Sequence, residues 1–161
     1  MTIKKDEVLP DATLYEYANQ KINSFKLSKV MVNKKIVIFG LPGAFTPTCS
    51  EKHLPGFVTN AAKFYEKGIQ ELWCLSINDP FVMYAWGLVG KSLETINMVS
   101  DGNAELTKKL GLETDLSFIG MGLRSMRYAM VVEDQKVKSI FVEDDAGKLE
   151  KSDALSVLES L

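Results

Sequence analysis

Residues 35–41, Lys-Ile-Val-Ile-Phe-Gly-Leu, are apolar at consecutive rather than alternating positions, and the run stops abruptly at Pro42-Gly43. A strand with this pattern has no wet face, so it must be buried on both sides within a sheet. The prolines and glycine that follow end the strand, and a helical pattern begins close to Thr46. Pro47, with its fixed φ, suits a first helical turn. Cys49 is thereby placed near a helix N-terminus at the carboxyl end of a parallel strand. Unpaired backbone N–H groups and the helix dipole favour thiolate over thiol at such a position.

The remainder of the chain repeats the alternation of strand and helix. Residues 57–67 place Phe57, Ala61, Phe64 and Tyr65 at helical spacing up to Gly68, with a kink expected at Pro55. Residues 72–77 read as a second buried strand, and Asn78-Asp79-Pro80 caps a helix to about Val89. Residues 96–99 are a short strand, 104–110 a helix stopped by Gly111, and 113–123, with two glycines, a loop. Residues 127–132 and 136–142 form an antiparallel hairpin across 133–135, and 152–161 a final helix. At the other end, residues 13–17 and 24–27 are short strands about a polar turn, while 1–7 are polar and expected to fray. This strand-helix-strand-helix order predicts one α/β domain over residues 1–161.

Composition excludes several classes. A formal net charge of -2 gives no basic footprint for nucleic acid. The longest apolar runs fall far short of the roughly 20 residues a membrane helix needs. No secretory signal is expected, and two cysteines are too few for a disulfide scaffold and lack metal-ligand spacing. A reducing compartment, the cytoplasm, fits this pattern, with a processed mitochondrial or plastid-type form as the alternative.

Pro42, Thr46 and Cys49 fit a Pro-x-x-x-Thr-x-x-Cys signature, which continues through Ser50-Glu51-Lys52-His53-Leu54-Pro55-Gly56-Phe57. Two further stretches agree, residues 74–83 with Ala85-Trp86, and Arg124-Ser125-Met126-Arg127-Tyr128-Ala129. In these motifs the chain resembles the peroxiredoxins, specifically the type-5 branch, called type II in plants. The resemblance implies a thioredoxin-like fold, a central mixed β-sheet flanked by helices, and a homodimer. It also implies a thiol-dependent peroxidase acting on hydrogen peroxide and alkyl hydroperoxides through a Cys49 sulfenic acid. No cofactor or metal is expected. The reductant implied is glutathione with a glutaredoxin, or thioredoxin.

Each candidate residue also has an ordinary structural role. Cys49 as a small buried hydrophobe is disfavoured by its Pro/Thr surroundings at a helix start. Thr46 shares a helical face with Cys49 and either caps the helix or puts its hydroxyl beside the sulfur. Pro42 is a turn proline or, by resemblance, a shield for the thiolate. Arg127 carries its role by resemblance, as the guanidinium over thiolate and peroxide, with Arg124 competing and a surface arginine the ordinary reading. His53, the sole histidine, suggests a Cys/His hydrolase pair, but no orienting or oxyanion signature accompanies it. Cys74 sits mid-strand, where a disulfide to Cys49 needs Cα atoms within about 7 Å and local unfolding. The position of the C-terminal resolving cysteine in animal relatives is occupied here by Leu149-Glu150-Lys151-Ser152. Phe45, Phe81 and Trp86 read more simply as core than as a dimer rim. A redox sensor or binding module, and a two-cysteine peroxidase with Cys74 resolving, remain the alternatives.

Overall fold

The computed structural model describes residues 1–161. The chain opens with a hairpin of β1 (Thr13–Ala18) and β2 (Lys21–Lys26), closed by Asn19 and Gln20 at φ 53° and 63°, then the single turn α1 (Leu27–Val30). The apolar run forms β3 (Lys35–Gly40). Helical backbone begins at Pro47, widens to a π-helical turn over Cys49–His53, and continues as α2 (Leu54–Glu66). In the wide turn the Leu54 N–H reaches back to the Cys49 carbonyl. The kink expected at Pro55 is therefore a change of helix type, placed where the chain is about to lose an amide donor.

Next come β4 (Glu71–Ser76) and α3 (Pro80–Val89), the latter capped by the Asp79 side chain on the Val82 N–H at 2.9 Å. They are followed by β5 (Asn97–Ser100) and α4 (Glu105–Leu110). The segment read as a loop instead contains a small ribbon, β6 (Glu113–Asp115) with β7 (Leu123–Ser125). Its glycines Gly120 and Gly122 turn the chain at φ 78° and 66°. Strands β8 (Tyr128–Glu133) and β9 (Lys136–Val142) meet through Asp134-Gln135, and α5 (Ala154–Glu159) closes the chain with Asp153, one residue later than expected, as its cap.

Seven strands form one mixed sheet in the order β2-β1-β5-β4-β3-β8-β9, with β3, β4 and β5 parallel and β8 antiparallel to β3. The fold is the α/β thioredoxin-like sheet between helices. Alternate residues of β3 feed two separate cores: Val37 and Phe39 face the α2 and α5 side, Ile36 and Ile38 the opposite side. Phe39 stacks on Phe57 of α2 with ring centroids 4.0 Å apart. Burying each such ring contributes about 1.5–3 kcal/mol. This packing anchors the active-site helix to the strand that precedes it.

The first residues do not fray. Ile3 is buried, its N–H bonds to the Leu110 carbonyl at 2.9 Å, and Asp6 N–H bonds to the Val137 carbonyl at 2.7 Å. One apolar side chain in a polar segment suffices to dock it against α4. No helix is long and apolar enough to cross a membrane.

Candidate active site

Local sequence places the sulfur and distant sequence places its partner. The turn 41–46 leaves the carboxyl end of β3, with Ala44 N–H held by Asn78 Oδ1 at 2.9 Å and Phe45 in the left-handed region at φ 63°. Thr46 Oγ donates to the Gly43 carbonyl at 2.7 Å, so this hydroxyl closes the turn and does not cap the helix. Its lone pairs remain free to accept. Cys49 follows in the π-helical turn and is fully buried.

Arg127 reaches Cys49 from the position just before β8. Its Nη2 donates to Cys49 Sγ at 3.2 Å, its Nη1 to His53 Nδ1 at 3.1 Å, and its Nε to the Ala146 carbonyl at 3.0 Å. At 2% exposure it is no surface arginine. The ion pairs of the fold are Lys34–Glu71, Lys109–Glu105 and Lys151–Asp144, so no carboxylate neutralises this guanidinium. Its hydrogen-bond partners are instead the Cys49 sulfur, the His53 ring and the Ala146 carbonyl.

Arg124 occupies a different place. Its Nε donates to the Met121 carbonyl at 2.9 Å and its Nη1 approaches the Pro42 carbonyl at 3.4 Å. It braces the turn from outside and does not touch the sulfur. Pro42, Thr46 and Arg127 share a pocket of about 320 Å³ whose lip carries the exposed Phe118 and Ile119.

His53 lies beside Arg127 and does not form a Cys/His pair. Its ring packs at a tilt against both Phe39 and Phe57, its Nε2 is 3.0 Å from the Ser152 carbonyl, and its Nδ1 faces Arg127. Burial, then the charge of Arg127, pull its pKa from 6.5 to about 3. A histidine held neutral in the fold but free to protonate when unfolded contributes stability above pH 6.5 that is lost as pH falls below it. We expect this group to cost about 2 kcal/mol between pH 7 and pH 5. Urea unfolding of the protein and of His53→Asn at both pH values isolates it, since the carboxylates are common to both. Equal losses would contradict the assignment.

Cys74 is buried mid-strand, paired with Phe39 of β3 and Met98 of β5, and shares one core with Cys49. Burial, then the charge of Cys49, push its thiol well up, with Arg127 opposing weakly. It stays a thiol. Of the three aromatic residues read as core, only Trp86 is, its Nε1 donating to Ser50 Oγ at 3.0 Å. Phe45 and Phe81 are instead 52% and 55% exposed. Sequence reasoning missed Glu143 and Ser152, whose contacts are mainly to backbone groups and leave no spacing signal.

Fold and site together define a thioredoxin-fold protein with a cysteine gripped by a buried arginine at a helix start. The family description "Redoxin" matches residues 4–158. Peroxiredoxin-2B of Arabidopsis thaliana is 42% identical over 156 residues, covering 96% of each chain. Reduced Prx3 of Vibrio vulnificus in complex with H2O2 superposes with a TM-score of 0.94 at 40% identity, covering 99% of each chain. The Plasmodium falciparum antioxidant protein, described as a 1-Cys peroxiredoxin, gives 0.92 at 28% identity, covering 98% of each. The chain belongs to the peroxiredoxins, in the plant type-II and type-5 branch. It is a thiol peroxidase whose peroxidatic Cys49 is held by Arg127.

Proposed function

We propose that this peroxiredoxin reduces hydrogen peroxide and alkyl hydroperoxides by a one-cysteine cycle. The observation that carries it is the 3.2 Å contact between Arg127 and Cys49 Sγ beside a pocket with an apolar lip. The thiolate attacks one peroxide oxygen and the O–O bond breaks. The sulfur gains that oxygen as sulfenic acid and loses two electrons, while the leaving oxygen takes a proton. Arg127 steadies the charge growing on that oxygen, and Thr46, with lone pairs to spare, accepts a hydrogen bond from the peroxide. Pro42 walls the sulfur from water and offers no amide of its own. Phe118 and Ile119 at the lip suit an alkyl substituent.

Because Cys74 is locked between two parallel neighbours, an external thiol, glutathione with a glutaredoxin, resolves the sulfenic acid. The exposed Phe45 and Phe81 suit the rim of a homodimer, and two free thiols suit the reducing cytoplasm. Stopped-flow peroxide consumption, with glutathione/glutaredoxin and thioredoxin supplied in separate reactions, tests the reductant. Turnover is expected with the first. Turnover with thioredoxin alone would overturn this assignment.

A further inference from the structure

Two of the three guanidinium nitrogens of Arg127 are fixed by partners that depend on one irregular segment, residues 144–152. Nε donates directly to that segment, at the Ala146 carbonyl. Nη1 is held through His53, whose ring reaches the Ser152 carbonyl on its other side. A carbonyl oxygen only accepts, so His53 Nε2 must carry the ring proton. In a neutral imidazole this leaves Nδ1 with its lone pair, and that lone pair faces a guanidinium N–H, which only donates. The alternative tautomer would set donor against donor at 3.1 Å. The orientation of the arginine therefore rests on where the Ser152 carbonyl points.

The Ser152 carbonyl is held in turn by Glu143. This residue follows β9 directly and is 3% exposed. Its carboxylate accepts from Glu150 N at 3.0 Å, Lys151 N at 2.9 Å, Ser152 N at 2.7 Å and Ser152 Oγ at 2.7 Å. Those amides have no sheet or helix to satisfy them, and a single anion gathers all three. Burial would raise the carboxyl, but bonds from Ser152, Glu150 and Lys151 outweigh it and hold it below the usual glutamate range. The backbone of the same residue closes the circuit, its N–H donating to the Arg127 carbonyl at 3.0 Å.

We propose that Glu143 is a positioning residue for the peroxidatic arginine: its carboxylate clasps residues 150–152, the Ser152 carbonyl then sets the His53 tautomer, and His53 sets the plane of the guanidinium. Nη2 is left aimed at the sulfur. The proposal rests on the reading that Arg127 assists peroxide attack. It adds a control of that arginine that lies outside the Pro-Thr-Cys turn.

The wild-type protein gives the first test. Its one histidine makes the imidazole ¹⁵N resonances unambiguous. A neutral ring protonated on Nε2 at neutral pH is expected, and a proton on Nδ1 would overturn the proposal whatever the activity. Kinetics of peroxide consumption give the second. Glu143→Gln is expected to lower the second-order rate constant about 10- to 100-fold, the scale of a misaimed but intact catalytic group. It should also disturb the ¹⁵N signature.

Should Glu143→Gln fail to fold, two His53 variants decide. Asparagine can present an oxygen near Nδ1 and keep the acceptor for Arg127, whereas glutamine can present a nitrogen near Nε2 and keep only the donor to Ser152. His53→Asn should retain more of the rate than His53→Gln. Equal rates in the two, or a wild-type rate in a folded Glu143→Gln, would overturn the clasp. Arg127→Gln measured alongside separates the causes. If it too retains the wild-type rate, the reading of Arg127 itself has failed.

Discussion

Cys49→Ser is expected to abolish peroxide consumption, while Cys74→Ser should keep most of it. The two sulfurs lie in one apolar core, yet their surroundings differ in kind. Cys49 leaves a strand through a proline turn, sits in a widened helical turn, and accepts an N–H from a buried guanidinium at 3.2 Å. Cys74 is held by β3 on one side and β5 on the other, with its thiol pushed well above the ordinary range by burial. A serine hydroxyl at position 49 is far too weak a nucleophile at neutral pH to replace a thiolate. Turnover should fall to the background of free peroxide decomposition. Coupled peroxidase assays on both variants, with thermal unfolding to verify the fold, read the outcome. Comparable losses in two well-folded variants would make Cys74 a participant in the cycle.

For Arg127→Gln the expected result is a loss of about 100- to 1000-fold in the second-order rate constant for peroxide. Glutamine roughly preserves the volume and one donor, so the cavity and strain of an alanine are avoided. What it removes is the fixed positive charge. The leaving oxygen of a peroxide becomes anionic as the O–O bond lengthens, and a dry, preorganised cation at that point lowers the barrier with little reorganisation. The same guanidinium donates to the sulfur at 3.2 Å, so both partners in the attack are affected. Arg124→Gln provides the contrast. Arg124 reaches only the Pro42 and Met121 carbonyls, and its loss loosens the turn without removing charge from the sulfur. About tenfold or less is expected there. An equal or larger loss at Arg124 would mean that the turn, and not the charge at the sulfur, limits attack.

How far the chain could be read beforehand follows from how local each feature is. The strand, proline turn and helix start around Cys49 are encoded within one short stretch, and their geometry is nearly dictated by apolar run, φ restriction and capping. Arg127 is far away along the chain, and no periodicity joins it to Cys49. Only the family motif pointed to it, and the β3–β8 pairing then shows why it arrives: Gly40 stands opposite Tyr128, the next residue after Arg127. A Cβ on Gly40 would lie 2.1 Å from the Tyr128 ring, so the glycine admits that ring to the opposite core.

The Glu143 clasp was invisible because its partners are mainly backbone amides, which every residue carries. Phe45 and Phe81 misled for the opposite reason. Hydrophobicity reports what a side chain prefers, and their exposure is a property of the surface that the folded monomer leaves uncovered. Ile3 shows the same limit in a polar segment, since one buried side chain and two backbone bonds outweigh composition.

Peroxide should oxidise Cys49 with no second thiol of the chain answering it. Intact-mass measurement after a stoichiometric pulse of hydrogen peroxide, with no thiol present, tests this most directly when followed by peptide mapping. One added oxygen on the peptide containing Cys49 is the expected early product, passing to two with excess peroxide and to a glutathione adduct at Cys49 when glutathione is present first. An early product that has lost two hydrogens, with Cys49 joined to Cys74, would contradict the account and require β4 to open in every cycle.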